Sequence, residues 1–129
     1  MVEEFAQIRA IVQVLEGISA KAVVSVVLDA TANMVETCPR DTSWARSNFV
    51  PKIGGDFEGI AGSRDNVEFG TQQNGIASVA TGYKSTKQGV VSITNNVPYI
   101  NALNHGHSKQ ESPGFIQRAI EKALKEIKL

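Results

Sequence analysis

Glycine is concentrated in the middle of this 129-residue chain, and the cluster limits where regular structure can form. Seven of the eleven glycines lie between Gly54 and Gly82, with Asn, Asp, Ser and Gln filling much of the space between them. Glycine weakens helices and strands because it has the most backbone freedom to lose on folding. Residues 54–75 are therefore predicted to form a long mobile loop or a floppy hairpin, and a long loop is usually functional where it occurs in a compact domain.

The chain before this loop has the spacing of helices. Apolar residues recur at steps of three and four within residues 2–16, which places them on one helical face. A second helix is predicted over residues 19–36, with Ser19 as its N-cap. The valines of this stretch would also suit a strand, but its length and its alanines favour a helix that ends before Pro39. Gly17 marks a kink or a boundary between the two helices.

The chain after the loop is predicted to contain a hairpin and a closing helix. Residues 76–83 alternate in character, residues 90–95 are rich in β-branched side chains, and a short polar link joins them. This pattern predicts two antiparallel strands. Ser112 begins a helix-start signal, and an apolar stripe follows over residues 113–128. Helices and strands that are segregated in this way predict an α+β fold, in one domain that spans residues 1–129.

Composition excludes several classes of protein. The chain has 13 Lys and Arg against 13 Asp and Glu, so we do not expect a broad basic face for DNA or an anionic membrane. Aromatic residues make up only 6%, which argues against a stacking platform for single-stranded nucleic acid. The sequence begins with acidic residues and its most apolar run is short, so neither a signal peptide nor a membrane span is expected.

Few residues suggest catalysis or metal binding. Cys38 is the only cysteine, so no internal disulfide can form, and a half-buried structural thiol is the expected role. His105 and His107 lie two residues apart, but two histidines need at least a third ligand, so a polar loop is the better interpretation. The sequence contains no phosphate-binding loop, dinucleotide fingerprint or HExxH. We therefore predict no catalytic residues, no metal site and no cofactor.

Two stretches carry a resemblance to a known family. Residues 38–54 read CPRDTSWARSNFVPKIG, and residues 90–120 read VVSITNNVPYINALNHGHSKQESPGFIQRAI. Together they resemble the head–tail junction proteins of tailed bacteriophages, also called neck or tail-completion proteins. That family has a long amphipathic helix, a Pro-x-Asp-Thr-Gly-type turn and an extended segment. A hairpin, an Asn-x-x-Pro-Tyr connector with a glycine turn, and a closing helix near a proline follow. The resemblance covers residues 2–53 and 76–125.

Individual residues match this pattern at the turn, the connector and the closing helix. Asp41 and Thr42 match the turn together with Pro39, and Ser43 stands where the pattern commonly has glycine. His105 takes a place where an acidic residue is common. The other matching positions are Asn96, Pro98 and Tyr99 in the connector, Gly106 in its turn, and Pro113 and Phe115 in the closing helix.

The resemblance implies a structural role without catalysis. Copies of such proteins form a ring between the connector on the portal side and the tail tube, and about six copies would suit a six-fold tail. The expected partners are other copies of this chain and the connector, tail-terminator or tail-tube proteins. Viral DNA would pass through the lumen without sequence-specific binding, and no membrane is involved. The expected location is the head–tail junction of the virion, after assembly in the host bacterial cytoplasm.

The residues expected to matter are therefore assembly residues. Asp41 and Thr42 would set the turn after the long helix, Trp44 would anchor the following segment, and Tyr99 would pack the connector. The loop of residues 54–75 would make docking contacts with a neighbouring copy. The full expected set is Asp41, Thr42, Trp44, Phe57, Phe69, Tyr99, Gly106 and Pro113.

Two other functions stay open at the level of sequence. A small adaptor or binding module of non-phage origin would use the same loop to hold a partner, and portal, capsid and tail genes nearby would argue against it. A hydrolase or metal-dependent enzyme would use His105, His107 and Cys38. Stoichiometric zinc that is lost in His105→Ala and His107→Ala would favour the enzyme.

Overall fold

The computed structural model describes residues 8–12, 19–39, 43–106 and 113–127. The elements in chain order are β1 (Ile8–Val12), α1 (Ala20–Thr37), β2 (Val50–Ile53), α2 (Gly70–Gly82), β3 (Val91–Asn95), α3 (Ile100–Asn104) and α4 (Phe115–Lys125). Short 3-10 turns at Arg46–Asn48 and Thr86–Gln88 lie before β2 and β3. The prediction of an α+β fold with a small antiparallel sheet and a C-terminal helix is confirmed.

The sheet has three antiparallel strands in the order β1-β3-β2. Ile93 in the central strand β3 is paired with Ala10 of β1 on one side and with Pro51 of β2 on the other. Every residue of the central strand β3 is buried. Because side chains alternate along a strand, Ile93 lies on the face that joins the hydrophobic core, whereas Ser92 and Thr94 lie on the other face.

The core lies between α1, α4 and one face of the sheet. Helix α1 begins at an N-cap in which the Ser19 hydroxyl accepts a hydrogen bond from the Ala22 amide at 3.1 Å. Its buried residues are Val23, Val26, Val27, Ala30, Thr31 and Met34. Helix α4 packs along α1, and the rings of Phe49 and Phe115 meet edge to face with centroids 6.3 Å apart. Burial of each large apolar side chain contributes about 1.5–3 kcal/mol, so both rings add to the stability of the core.

Helix α2 packs beside the edge strand β2 through a glycine. A Cβ atom at Gly75 would lie 2.9 Å from the Pro51 carbonyl oxygen and 3.0 Å from Cγ1 of Val50. A side chain at this position would therefore push the helix away from the strand. The Gln72 side chain secures the contact by donating to the Phe49 carbonyl at 3.1 Å. The edge of β2 is also blunted because Pro51 carries no N–H for strand pairing.

Three of the predicted elements are confirmed. The helix expected over residues 19–36 is α1, with the predicted cap, and the strand expected over residues 90–95 is β3. The closing helix exists but begins at Phe115, because Gly114 takes the N-cap position with φ 85°. Ser112, the predicted cap, lies outside the described residues.

The helix predicted over residues 2–16 is wrong at residues 8–12, which form β1; residues 1–7 and 13–16 lie outside the described part of the chain. The sequence of β1 is IRAIV, in which three of five residues are β-branched. This segment forms backbone hydrogen bonds along the full length of β3, with Ile8 opposite Asn95 and Val12 opposite Val91. Pairing with the central strand therefore outweighs an apolar spacing that also suits a helix.

The hairpin predicted from residues 76–83 and 90–95 is also wrong. Most of the first segment belongs to α2, and β3 pairs with β1 and β2 instead. The predicted loop of residues 54–75 is correspondingly shorter, because α2 begins at Gly70. Within residues 54–69 the only regular pairing is an isolated bridge between Ser63 and Asn66.

Candidate assembly surface

The turn after α1 contains a strained backbone position. Ser43 has φ 59°, the one non-glycine residue with positive φ among those described. Its carbonyl accepts a hydrogen bond from the Ser47 amide at 3.1 Å. Left-handed backbone is costly for residues with a Cβ atom, which explains why a glycine would suit this position. Asp41 and Thr42, the predicted turn residues, lie outside the described residues.

Two predicted assembly residues, Trp44 and Tyr99, meet in space. Their ring centroids are 5.9 Å apart and the planes are tilted by 58°. The Arg64 guanidinium lies over the Tyr99 ring, 5.4 Å from its centroid. Contacts of a cation with an aromatic face contribute about 0.5–1 kcal/mol at exposed sites. The three side chains thus join the turn after α1, the loop and the connector into one stack.

The loop of residues 54–69 is attached to this stack by hydrogen bonds. The Trp44 indole Nε1 donates to the Ala61 carbonyl at 3.1 Å. The Asn48 side chain also bonds to Ala61, accepting from its amide at 2.7 Å and donating to its carbonyl at 3.0 Å. Farther back along the loop, the Asn96 side chain donates to the carbonyls of Phe57 and Gly59 at 2.9 and 3.0 Å. Polar side chains therefore fix the course of a segment that has little apolar content.

The two loop aromatics have different surroundings. Phe57 is half-buried, and its ring covers Gly59 so closely that a Cβ atom there would lie 2.9 Å from Cζ. Phe69 is also half-buried and occupies the N-cap position of α2, where its carbonyl accepts from the Gln73 amide at 3.0 Å. Neither residue belongs to the hydrophobic core cluster of the described residues.

Gly106 and Pro113 come together across the connector to α4. Gly106 has φ 91°, as predicted for a glycine turn, and a Cβ atom there would lie 2.6 Å from Cγ of Pro113. Asn104 closes the same junction, because its carbonyl accepts from the Gly114 amide at 2.7 Å and its side chain from the Ile116 amide at 3.1 Å. The predicted connector residues thus hold α4 against the end of α3.

A groove of about 430 Å³ lies along β2, and we call it the β2 groove. Strand β2 forms one wall, and Phe57 and the small residues of α2 form the rest, among them Thr71, Gly75 and Ser78. The Glu68 carboxylate lies at the Thr71 side, where it accepts hydrogen bonds from the Thr71 amide and hydroxyl at 2.7 and 3.0 Å. Of the predicted assembly residues, Phe57 is the one that lines this groove.

The titratable residues considered from the sequence do not form a site in the described residues. Cys38 is 2% exposed, and burial raises the pKa of its thiol to about 12 although the charge of Arg46 lowers it. A thiol in this state is a poor nucleophile. His105 is exposed, with Nδ1 2.7 Å from the Asn101 carbonyl, and His107 lies outside the described residues. No group of three or more His, Cys, Asp or Glu in the described ranges could hold a metal ion.

The sequence analysis missed two residues of this surface, Asn48 and Arg64, and it matched Asn96 to the connector pattern without its contacts. Asn48 and Asn96 are asparagines beside strands, where a side-chain amide can bond to passing backbone. The signal available from sequence was polar residues in otherwise apolar stretches, as in RSNFV and ITNNV. That signal does not identify the partner, since each bond joins residues more than ten positions apart.

No family model, curated protein or solved structure matches this chain. Within the residues that the structure describes, none of the helices combines the length and the apolar character required to cross a bilayer.

Proposed function

We propose that this protein is a structural component of a tailed-bacteriophage virion, and that its copies form a ring at the head–tail junction. The proposal rests on the resemblance of residues 38–54 and 90–120 to neck and tail-completion proteins. In this role the chain joins the connector to the tail and leaves a passage for DNA.

The observation that supports it most is the backbone at Ser43. The family pattern commonly has glycine at this point of the turn, and here a serine adopts φ 59°, a conformation that glycine adopts readily. The sequence therefore departs from the pattern, while the backbone takes a conformation that suits the glycine commonly found there. This agreement involves a feature that was not used to establish the resemblance.

The connector supports the same role. Tyr99 stacks with Trp44, and Gly106 packs on Pro113, so the matched positions link the turn, the connector and α4. Asn96, a further matched position, holds the loop through two carbonyls. The motif residues thus act as a framework that presents the loop at the surface, which suits a protein whose function is contact with other subunits.

The charge of the chain also suits a DNA passage. Equal numbers of acidic and basic residues give no net charge at neutral pH. A strongly basic lumen would bind DNA through its phosphates and slow its movement. A ring further requires heterologous contacts between neighbouring copies, made by two different surfaces of each chain.

Light scattering and negative-stain microscopy of the purified chain, alone and mixed with connector and tail proteins from the same genome, test the proposal. We expect a ring of about six copies, alone or on one of these partners. Mass spectrometry of purified virions should then detect the chain. Infectious particles of normal shape that assemble without it would contradict the proposal, as would turnover of a substrate by the pure protein.

A further inference from the structure

One asparagine of the chain is followed directly by glycine, and this pair lies in the middle of α2. Asn74 is exposed and Gly75 is partly buried. An asparagine followed by glycine is prone to deamidation, because glycine has no side chain to hinder the attack of its own backbone nitrogen on the preceding side-chain amide. Every other asparagine is followed by a residue with a side chain. The sequence therefore singles out Asn74 as the candidate for this modification.

Deamidation of Asn74 needs no reactant except water. The backbone nitrogen of Gly75 bonds to Cγ of Asn74, the bond from Cγ to Nδ2 breaks, and Nδ2 leaves as ammonia with the proton of the Gly75 amide. The product is a five-membered succinimide ring. Water then opens the ring at one of its two carbonyls and yields aspartate or isoaspartate. Isoaspartate carries the main chain through its side-chain carboxyl, which lengthens the backbone by one carbon.

The helical backbone of α2 opposes ring closure in two ways. The helical pattern pairs the amide of Gly75 with the carbonyl of Thr71, so a hydrogen bond occupies the nitrogen that would attack. The ring also fixes ψ of Asn74 outside the helical range, so it cannot form while this residue is helical. Ring closure therefore requires α2 to open around Asn74.

The contact of α2 with β2 restrains the same two residues. A Cβ atom at Gly75 would lie 2.9 Å from the Pro51 carbonyl oxygen and 3.0 Å from Cγ1 of Val50, so the Gly75 backbone lies close against the strand. It cannot turn toward the Asn74 side chain without leaving β2. Asn74 is exposed and lines the β2 groove, so water for the second step has access to it. The first step is therefore the one that the fold controls.

The composition of α2 favours local opening. Its 13 residues, GTQQNGIASVATG, include three glycines, two threonines, an asparagine and a serine, all of which are poor helix formers. Only Gln72 and Val79 of this helix are buried, whereas the shorter helix α4 has four buried residues. Weak helical propensity and few buried contacts are typical of segments that open at a lower free energy than the whole domain.

We propose that Asn74 is a deamidation site and that the local opening of α2 sets the rate of its reaction. The Asn74 amide is protected while α2 is closed, and each opening allows ring closure at the rate of an unfolded chain. The longer backbone of isoaspartate then prevents α2 from closing in its original register, so the contact of Gly75 with β2 is lost. The inference concerns a single chain and does not depend on the proposed ring.

Incubation of the full chain at constant pH and temperature, folded and in denaturant, measures this protection. Mass spectrometry of proteolytic peptides gives the deamidated fraction at each asparagine, and enzymatic methylation of isoaspartate confirms the product. We expect Asn74 to react at least about tenfold more slowly in the folded chain than in denaturant. Asn74→Gln should remove the signal, because the longer side chain closes a ring much less readily.

Two matched variants separate local opening of α2 from unfolding of the whole domain. Val79 and Val97 are both 0% exposed and belong to the same core cluster, but Val79 is in α2 and Val97 is in the connector after β3. Val79→Ala should accelerate deamidation in the folded protein about fivefold or more, because it weakens the attachment of α2. Val97→Ala should have a much smaller effect. In denaturant both variants should react like wild type, and circular dichroism establishes that both are folded.

Three results would overturn the proposal. Equal rates in the folded and the denatured chain would show that α2 gives Asn74 no protection. Equal acceleration by Val79→Ala and Val97→Ala would assign the reaction to unfolding of the whole domain. A folded Val79→Ala protein that does not react, although its denatured chain does, would show that α2 does not open on its own.

Discussion

The side-chain amide of Asn48 pairs with the backbone of Ala61 through two hydrogen bonds, N to Oδ1 at 2.7 Å and Nδ2 to O at 3.0 Å. Both residues are buried, with 1% and 5% of their surface exposed. The arrangement imitates one rung of a β-ladder, although no strand lies next to Ala61. A loop with few apolar residues is thus attached to the domain by an amide that serves as its pairing partner.

Asn48→Ala should lower the free energy of unfolding by about 1–3 kcal/mol, because it leaves the buried amide N–H of Ala61 without a partner, whereas the Ala61 carbonyl keeps its hydrogen bond from the Trp44 indole. We also expect faster hydrogen exchange at the Ala61 amide. Urea unfolding and amide exchange measure the two effects. Asn74→Ala, at an exposed position of α2, should change stability by less than about 0.5 kcal/mol. Equal losses in the two variants would contradict the anchoring role of Asn48.

Gly106→Ala should be more destabilising than Gly54→Ala. Both glycines have positive φ, 91° and 75°, so alanine costs about 1–2 kcal/mol at either position. At Gly54 the new Cβ atom has nothing within 4 Å, whereas at Gly106 it would overlap with Pro113. That overlap adds about 1–3 kcal/mol. Thermal unfolding of both variants gives the difference.

Pro113→Ala removes the Cγ atom that the new methyl group would meet, and it leaves only Cβ at an ordinary 3.5 Å. The double variant Gly106→Ala, Pro113→Ala should therefore recover the part of the loss that is due to overlap. Additive effects of the two substitutions would indicate that backbone strain alone accounts for the cost at Gly106.

The sequence predicts α1, β3 and α4 well because local signals and tertiary contacts agree there. In α1 the N-cap at Ser19, the helical apolar spacing and the stop before Pro39 all indicate one helix. The connector is similar, since the one-turn spacing of Tyr99, Ile100 and Leu103 corresponds to α3. Such elements can be predicted from local sequence signals, without information on their tertiary contacts.

Helix α2 was missed because it is rich in glycine, and the central one, Gly75, serves packing against β2. Gly75 is required by the approach to Pro51, and this tertiary reason cannot be inferred from the local pattern. The helical signal is nevertheless present: Gln72, Val79 and Tyr83 are buried and Ile76 is partly buried, at steps of four, three and four. The first of these four residues, Gln72, is polar, so the row did not stand out as an apolar face. The alternation within residues 76–83 suggested a strand instead.

The sequence predicted several residues of the candidate surface but not the contacts that they make. Tyr99, Gly106 and Pro113 were expected from the family pattern, and each has a close partner in the structure. The attachments of the loop to Asn48 and Asn96 are long-range hydrogen bonds between residues of ordinary type. Only the folded arrangement determines which amide meets which carbonyl.

Ser43→Gly should keep or slightly raise stability, whereas Ser43→Val should lower it by about 1–2 kcal/mol. At φ 59° a Cβ atom is unfavourable, most of all a branched one, and glycine removes that strain. The gain from glycine is partly offset by the greater freedom of the unfolded chain, so we expect at most about 1 kcal/mol. Thermal unfolding of the two variants measures the difference, and a Ser43→Val protein as stable as wild type would contradict the strain at this turn.

Above pH 9, stability should fall in a way that depends on Cys38. Burial raises the pKa of this thiol from 9.0 to about 12, so the folded state keeps the proton after the unfolded state has lost it. The free energy of unfolding should then decrease between pH 9 and 12, by up to about 1.4 kcal/mol per pH unit. Below pH 9 the thiol is protonated in both states and has no effect on the slope.

Cys38→Ala isolates this contribution, because other groups also titrate in the same range. Burial raises the pKa of Tyr83 as well, and its ionisation affects the wild-type and variant proteins equally. The variant should be less stable at neutral pH, since a small cavity replaces the sulfur. Its stability should nevertheless fall less steeply, so that the difference between the two proteins narrows as the pH rises from 9. Urea unfolding at several pH values measures that difference, and parallel curves would mean that the folded state lets Cys38 ionise as freely as the unfolded chain does.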